Sequence, residues 1–182
     1  MFITLSGQLG SGKSTVCGIM QNKYGYQIFT TGSILRRLAE ERGMTALEFN
    51  DYILNSENNV DDIIDSESKR IAREKSGEKI IFDSRLAWHF VPESFKVFLK
   101  VNSTVAAQRV YGGKERRSES YNSVEEAEES LIKRSEIERE RFMKLYNVDY
   151  WDENNYDLVV DTTSIAPDEV VRRIIEAAKK RV

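Results

Sequence analysis

Residues 2–15, FITLSGQLGSGKST, constrain the fold more than any other stretch of the chain. A short apolar-rich run gives way to Gly7-x-x-x-x-Gly12-Lys13-Ser14, the complete phosphate-loop spacing, and a helix-like run, STVCGIMQNKYG, follows. Gly7, Gly10 and Gly12 let the backbone curl until successive N–H groups converge on phosphate oxygens, and the helix beginning near Lys13 adds the positive end of its dipole. In such a loop Gly7, Gln8, Leu9, Gly10, Ser11, Gly12, Lys13, Ser14 and Thr15 are expected around the phosphates of a nucleoside triphosphate. Lys13 can bridge the β and γ phosphates, and Ser14 can offer its hydroxyl to Mg²⁺. An ordinary glycine-rich turn would not need Lys and Ser directly after its last Gly.

Strand-like runs recur at 2–6, 26–30, 79–83, 96–101 and 156–161, several of them apolar almost throughout, as strands covered on both faces of a parallel sheet are. Helix-period stretches separate them at 14–23, 33–42, 46–54, 60–75, 103–111, 123–145 and 167–180. This alternation predicts a three-layer α/β/α domain of the phosphate-loop NTPase type, with a central, mainly parallel sheet of about five strands. At 182 residues the chain is expected to form one domain. Two stretches exceed a minimal plan: a mostly helical insertion over about 33–75, and a glycine-led, charged segment, GGKERRSESYN, at 112–122. The first suits a substrate-binding lobe; the second reads either as a mobile loop or as an ordinary solvated one.

With 27 Lys+Arg against 30 Asp+Glu the formal charge is only −3, which gives no global positive field for nucleic acid or an anionic membrane. The single cysteine, Cys17, excludes an internal disulfide and is most simply a small buried residue. No signal-like or membrane-spanning apolar run is evident, so a soluble, cytoplasmic protein is expected.

Among phosphate-loop classes, a GTPase would show Asn-Lys-x-Asp, whereas Asn22-Lys23 is followed here by Tyr24-Gly25. A small kinase is the economical reading. Phosphoryl transfer runs on positioning and charge neutralisation, and the arginines suit it. Arg36 and Arg37 lie in TTGSILRRLAEERG, expected as that helix's first turn, and Arg85 follows the strand KIIFD. Both places are beyond the carboxyl ends of strands, where open α/β sheets bind ligands. Arg134, Glu138 and Arg141 share one face of helix 123–145, either as a functional face or as solvated ion pairs. Asp83 ends a strand, where a carboxylate near Mg²⁺ or the acceptor is common, although an Asp before Ser84 also suits a turn. His89, between aromatics, reads as packed or edge-exposed rather than catalytic.

On the phosphate loop, TTGSILRRLAEERGMTALEF, FDSRLAWHF, KVFLKV, RSEIERERF and LYNVDYWDENNYDLVVDTT, the chain resembles the nucleoside monophosphate kinases over nearly its whole length, and most of all the archaeal-type cytidylate kinases. That resemblance implies ATP- and Mg²⁺-dependent phosphorylation of CMP or dCMP, small nucleotides as the only partners, and a monomer. It implies that Arg36 and Arg85 hold the acceptor phosphate and that Asp83 orients the acceptor or, through water, the metal. Residues 33–75 become the monophosphate lobe and 112–122 the lid. Arg109 faces the ATP phosphates, Arg134 and Arg141 complete the cationic clamp with Lys13, and Glu138 assists pyrimidine recognition. The chain departs from the family pattern at Ser33, Ser84, Trp88 and His89, with an indole expected beside the acceptor. The residues themselves leave open another small acceptor, whether a different nucleoside monophosphate, dephospho-coenzyme A, or a sugar or hydroxy acid with Asp83 as base, and a nucleotide-binding regulatory module without turnover.

Overall fold

The computed structural model describes residues 1–45, 48, 49, 52, 60–112 and 121–181. Most of the helix expected at 46–54, and 113–120 of the expected lid, lie outside the described residues.

Among the described residues five strands form one sheet: β1 (Phe2–Gly7), β2 (Gln27–Thr30), β3 (Ile80–Asp83), β4 (Phe95–Lys100) and β5 (Leu158–Asp161). Their order is β2-β3-β1-β4-β5 and every pairing is parallel. β1 is central, which explains why its sequence is apolar with only small polar interruptions. Around the sheet lie α1 (Lys13–Tyr24), α2 (Thr31–Glu41), α3 (Val60–Glu74), α4 (Ala87–Phe90), α5 (Ser103–Tyr111), α6 (Val124–Tyr146) and α7 (Pro167–Lys179).

Side chains alternate between the two faces of the sheet, as strand geometry requires. Ile3, Leu5, Val97, Leu99 and Val160 pack with Val16 and Met20 of α1 and Val170 and Ile174 of α7. On the other face, Ile80 and Phe82 meet Ile34 and Leu38 of α2 and Ile64 and Ile71 of α3. Phe98 meets Trp88, Phe142 and Tyr150 on that side. The result is the expected three-layer architecture.

Register and caps fix the active end. Leu5 lies beside Asp83 and Gly7 beside Leu99, so the carboxyl ends of β1, β3 and β4 open together. Thr30 and Ser33 form a reciprocal capping box, with Ser33 N–H donating to Thr30 Oγ1 at 3.0 Å and Thr30 N–H to Ser33 Oγ at 2.8 Å. This cap starts α2 at Thr31, two residues before the expected start, so Arg36 and Arg37 stand in its second turn. It also gives Ser33 a structural task.

Candidate active site

The loop after β1 is held by its own side chains and by the next strands. Gln8 N–H donates to Leu99 O at 2.9 Å, and Val101 N–H donates to Gln8 Oε1 at 2.6 Å. Ser11 Oγ donates to Gln8 O at 2.7 Å, and Thr162 Oγ1 donates to Ser11 O at 3.1 Å. Gly10, at φ 77°, lies against α5 so closely that a Cβ would come within 2.7 Å of the Ala106 Cβ. Gly12, at φ 87°, has nothing within 4 Å of where a Cβ would stand, and it caps α1. That open concavity at a helix N-terminus fits a phosphate group. Around it lies a cavity of about 990 Å³ lined by residues 9–16, Thr30–Gly32, Asp83, Arg85, Arg109, Thr162 and the start of α7.

Lys13 Nζ lies over the loop, donating to Gly7 O at 3.2 Å and Gln8 O at 3.4 Å. Burial, helped by the Arg85 guanidinium, lowers its pKa from 10.5 to about 7, with Asp83 and Glu138 pulling the other way. Burial raises the Asp83 carboxyl above its ordinary value, while Lys13 and Arg85 oppose that shift. Cations and carboxylates are thus crowded where water is scarce, which strengthens any charge they meet.

Arg85 is fixed by its backbone as well as its head group. Ser6 Oγ and Trp88 Nε1 each donate to its carbonyl at 3.0 Å, and its Nε donates to Glu138 Oε2 at 2.8 Å. A second cavity, of about 220 Å³, opens on the α6 side and is lined by Thr31, Asp65, Asp83, Ser84, Arg85, Glu138, Arg141, Phe142, Tyr146 and apolar neighbours. Thr31, Asp83 and Arg85 belong to both cavities. The two spaces therefore meet at one wall that carries a carboxylate and a guanidinium.

The remaining sequence candidates distribute unevenly. Arg109 lines the large cavity, its Nη1 donating to Thr162 Oγ1 at 3.2 Å and its Nη2 to Thr162 O at 2.6 Å. Ser14 lines that cavity with an exposed side, and Ser84 and Arg141 line the small one. Arg134 is half-buried one turn before Glu138 and is not among the lining residues of either cavity. Arg36 is exposed and lines neither, whereas its neighbour Arg37 is ion-paired to the buried Glu67 of α3. Trp88 corrects an expectation: its ring packs inward on Tyr156, with centroids 5.5 Å apart, and it supports Arg85 instead of bordering the acceptor. His89 is exposed, its ring edge-on to Phe90 at 4.9 Å. Cys17 is buried on the core-facing side of α1, where burial pushes its thiol pKa up.

Sequence reasoning missed Thr31, Asp65, Phe142, Tyr146 and Thr162. Thr162 follows β5 directly, so the rule that ligands gather at carboxyl ends of strands could have found it. Asp65 and Tyr146 carry no such local signal.

Comparison with known proteins shows the family. A family model described as "Cytidylate kinase-like family" matches residues 2–164. The cytidylate kinase of Methanobrevibacter smithii is 34% identical over 179 residues, covering 98% of this chain and 99% of that one. That of Natronomonas pharaonis is 36% identical over 182 residues, covering 98% and 88%. An S-adenosylmethionine-dependent nucleotide dehydratase of Lacinutrix mariniflava is 34% identical over 179 residues, a match spanning 98% of this chain and 36% of that longer protein. Among solved structures, shikimate kinase from Bacteroides thetaiotaomicron superposes with a TM-score of 0.64 at 14% identity, covering 98% of each chain, a likeness of fold.

Proposed function

The chain belongs to the cytidylate kinase-like family, and on that premise we propose that it transfers the γ-phosphoryl group of ATP to a nucleoside monophosphate, CMP or dCMP, giving ADP and CDP or dCDP. The observation that carries this reading is the pair of cavities with Thr31, Asp83 and Arg85 in common. A two-substrate phosphotransferase needs its donor and acceptor in adjoining compartments with cationic charge between them.

In this reading residues 7–15 and Lys13 hold the triphosphate in the large cavity, with Arg109 on its wall. The acceptor's phosphate enters the small cavity and competes with Glu138 for Arg85, a bidentate donor suited to phosphate. Arg141 borders that space, and Arg134 adds positive charge one turn earlier on α6; Arg36, exposed outside both cavities, has no part in the chemical step. An acceptor phosphate oxygen attacks the γ-phosphorus as the bond to the β–γ bridging oxygen breaks. The attacking oxygen is already anionic, so no proton has to move and no general base is needed. The Ser14 hydroxyl and, through water, Asp83 would hold Mg²⁺, which would supply neutralising charge to the triphosphate. Arg85 and Lys13 then neutralise the charge that spreads over the transferred group.

A hydroxyl acceptor is the second reading, favoured by one observation: Asp83, its carboxyl pKa raised by burial, stands at the common wall where a base would be needed. The test is ADP formation from ATP and Mg²⁺ across CMP, dCMP, UMP, AMP, GMP, dephospho-coenzyme A and simple sugars. Preference for CMP or dCMP is expected. Turnover confined to hydroxyl acceptors would replace the first reading with the second, and tight ATP binding without any turnover would remove both.

A further inference from the structure

The end of β5 meets the large cavity through one buried side chain. Thr162 follows Asp161 directly, and its N–H donates to Lys100 O at 2.9 Å, which carries the β4–β5 pairing one residue past the strand. Its hydroxyl has three neighbours: Ser11 O of the phosphate loop at 3.1 Å, Lys100 O of β4 at 3.1 Å and Arg109 Nη1 of α5 at 3.2 Å. Arg109 Nη2 donates to Thr162 O at 2.6 Å, and the same guanidinium reaches Gly10 O and Thr163 O, each at 3.4 Å. Asn102 N–H, at the start of α5, donates to Thr163 Oγ1 at 2.9 Å. Arg109 is exposed by area, yet its head group is hung between the phosphate loop and the end of β5.

Resting on the triphosphate-binding half of the reading above, we propose that Thr162 is a positioning residue: its hydroxyl holds the Arg109 guanidinium against the phosphate loop, so that loop and arginine meet the triphosphate as one surface. A threonine hydroxyl has one proton and two lone pairs. The proton goes to a carbonyl, Ser11 O or Lys100 O, and a lone pair is thereby turned to the Arg109 N–H. An arginine placed in advance loses less freedom when the nucleotide arrives, which is how preorganisation gains affinity. Without the hydroxyl, the Arg109 N–H and the Ser11 carbonyl would each lose a partner in a buried place. Both Thr162 and Arg109 line the large cavity and neither lines the small one, so the effect belongs to the triphosphate and not to the acceptor.

The experiment measures Kd for the β,γ-imido analogue of ATP with Mg²⁺ by calorimetry, and KM for ATP and for CMP. It compares the full chain with Thr162→Val, Thr162→Ser, Arg109→Ala and the double variant of Thr162→Val with Arg109→Ala. Thr162→Val keeps the shape and removes the hydroxyl, so it should weaken analogue binding and raise the ATP KM by about 10-fold, with the CMP KM unmoved. Thr162→Ser should restore most of the affinity. In the Arg109→Ala background Thr162→Val should add little, because the hydroxyl acts through the arginine. The calorimetric stoichiometry counts folded sites, so partial unfolding lowers that number and leaves Kd; Thr162→Ala takes the place of Thr162→Val if the latter does not fold. An unchanged Kd in Thr162→Val, a Thr162→Ser as weak as Thr162→Val, a parallel rise in the CMP KM, or full additivity with Arg109→Ala would each overturn this assignment and leave the kinase reading standing. A wild type that binds the analogue but phosphorylates no monophosphate would overturn the kinase reading, with the Kd series still deciding on Thr162. A wild type that binds no nucleoside triphosphate would overturn both.

Discussion

Nucleotide binding should draw a proton from solution, and Lys13 is the group that takes it. In the empty site Lys13 has a pKa lowered from 10.5 to about 7 by burial and the Arg85 guanidinium. At pH 8 only about a tenth of the molecules then carry the ammonium. A triphosphate laid across the loop supplies opposite charge and returns the pKa to its ordinary range, so binding should take up about 0.9 proton per nucleotide at pH 8 and about 0.1 at pH 6. Affinity should fall toward about tenfold per pH unit above 7, because the neutral lysine must be charged before it can bind. Calorimetric titration with the β,γ-imido analogue of ATP and Mg²⁺, at pH 8 in buffers of different protonation enthalpy, reads the uptake directly. Above pH 7.5 the terminal phosphate is itself deprotonated and adds little to the count. Lys13→Met should abolish the uptake. The same shift sets a stability effect of defined sign: between pH 7 and 10.5 the unfolded chain holds a proton that the folded chain lacks, so this group makes the empty protein more stable as pH rises through that window. Below pH 7 its cost is fully present, and Lys13→Met should therefore raise the stability of the empty protein at neutral pH by roughly 1–3 kcal/mol. Uptake below about 0.2 proton at pH 8, or the same uptake in Lys13→Met, would refute the reasoning.

Gly10→Ala should lower stability by roughly 2–4 kcal/mol in thermal denaturation, since its φ of 77° is strained for alanine and the new methyl group meets Ala106; an unchanged midpoint would show that α5 yields freely. Trp88→Phe keeps the aromatic packing but deletes the 3.0 Å hydrogen bond to the Arg85 carbonyl, so stability should drop by about 1 kcal/mol, with a raised acceptor KM and an unmoved ATP KM. Equal rises in both KM values would mean that Trp88 supports the site only through global stability.

What the sequence disclosed and what it hid divide by the distance along the chain over which each feature is built. The phosphate-loop motif is one strand, one turn and one helix start, so its spacing alone placed β1, the turn and the start of α1, and the strand runs were long and apolar enough to predict the parallel sheet. Arg36 and Arg37 show where that reach ends. They are adjacent and of one chemical type, yet a helix turns by about 100° per residue, which sends Arg36 to solvent and Arg37 onto Glu67 of α3. Which one meets a partner depends on how α2 packs, and nothing in the local pattern carries that. Trp88 was similarly opaque: as a departure from the family pattern it suggested an indole beside the acceptor, whereas α4 turns the ring toward Phe98 and Tyr156, and its indole N–H donates to the Arg85 carbonyl.

The proposed acceptor side lies at the far end of the same scale. Asp65 and Tyr146 are 81 positions apart, and Arg85 and Glu138 are 53 apart. Each pair exists only once α6 has closed over α3 and the segment after β3. On the proposed function, the donor is then announced through one contiguous motif while the choice of acceptor stays distributed among helices. Substitutions that leave the motif untouched can then redirect the acceptor without changing the phosphoryl chemistry, because the two cavities have only Thr31, Asp83 and Arg85 in common.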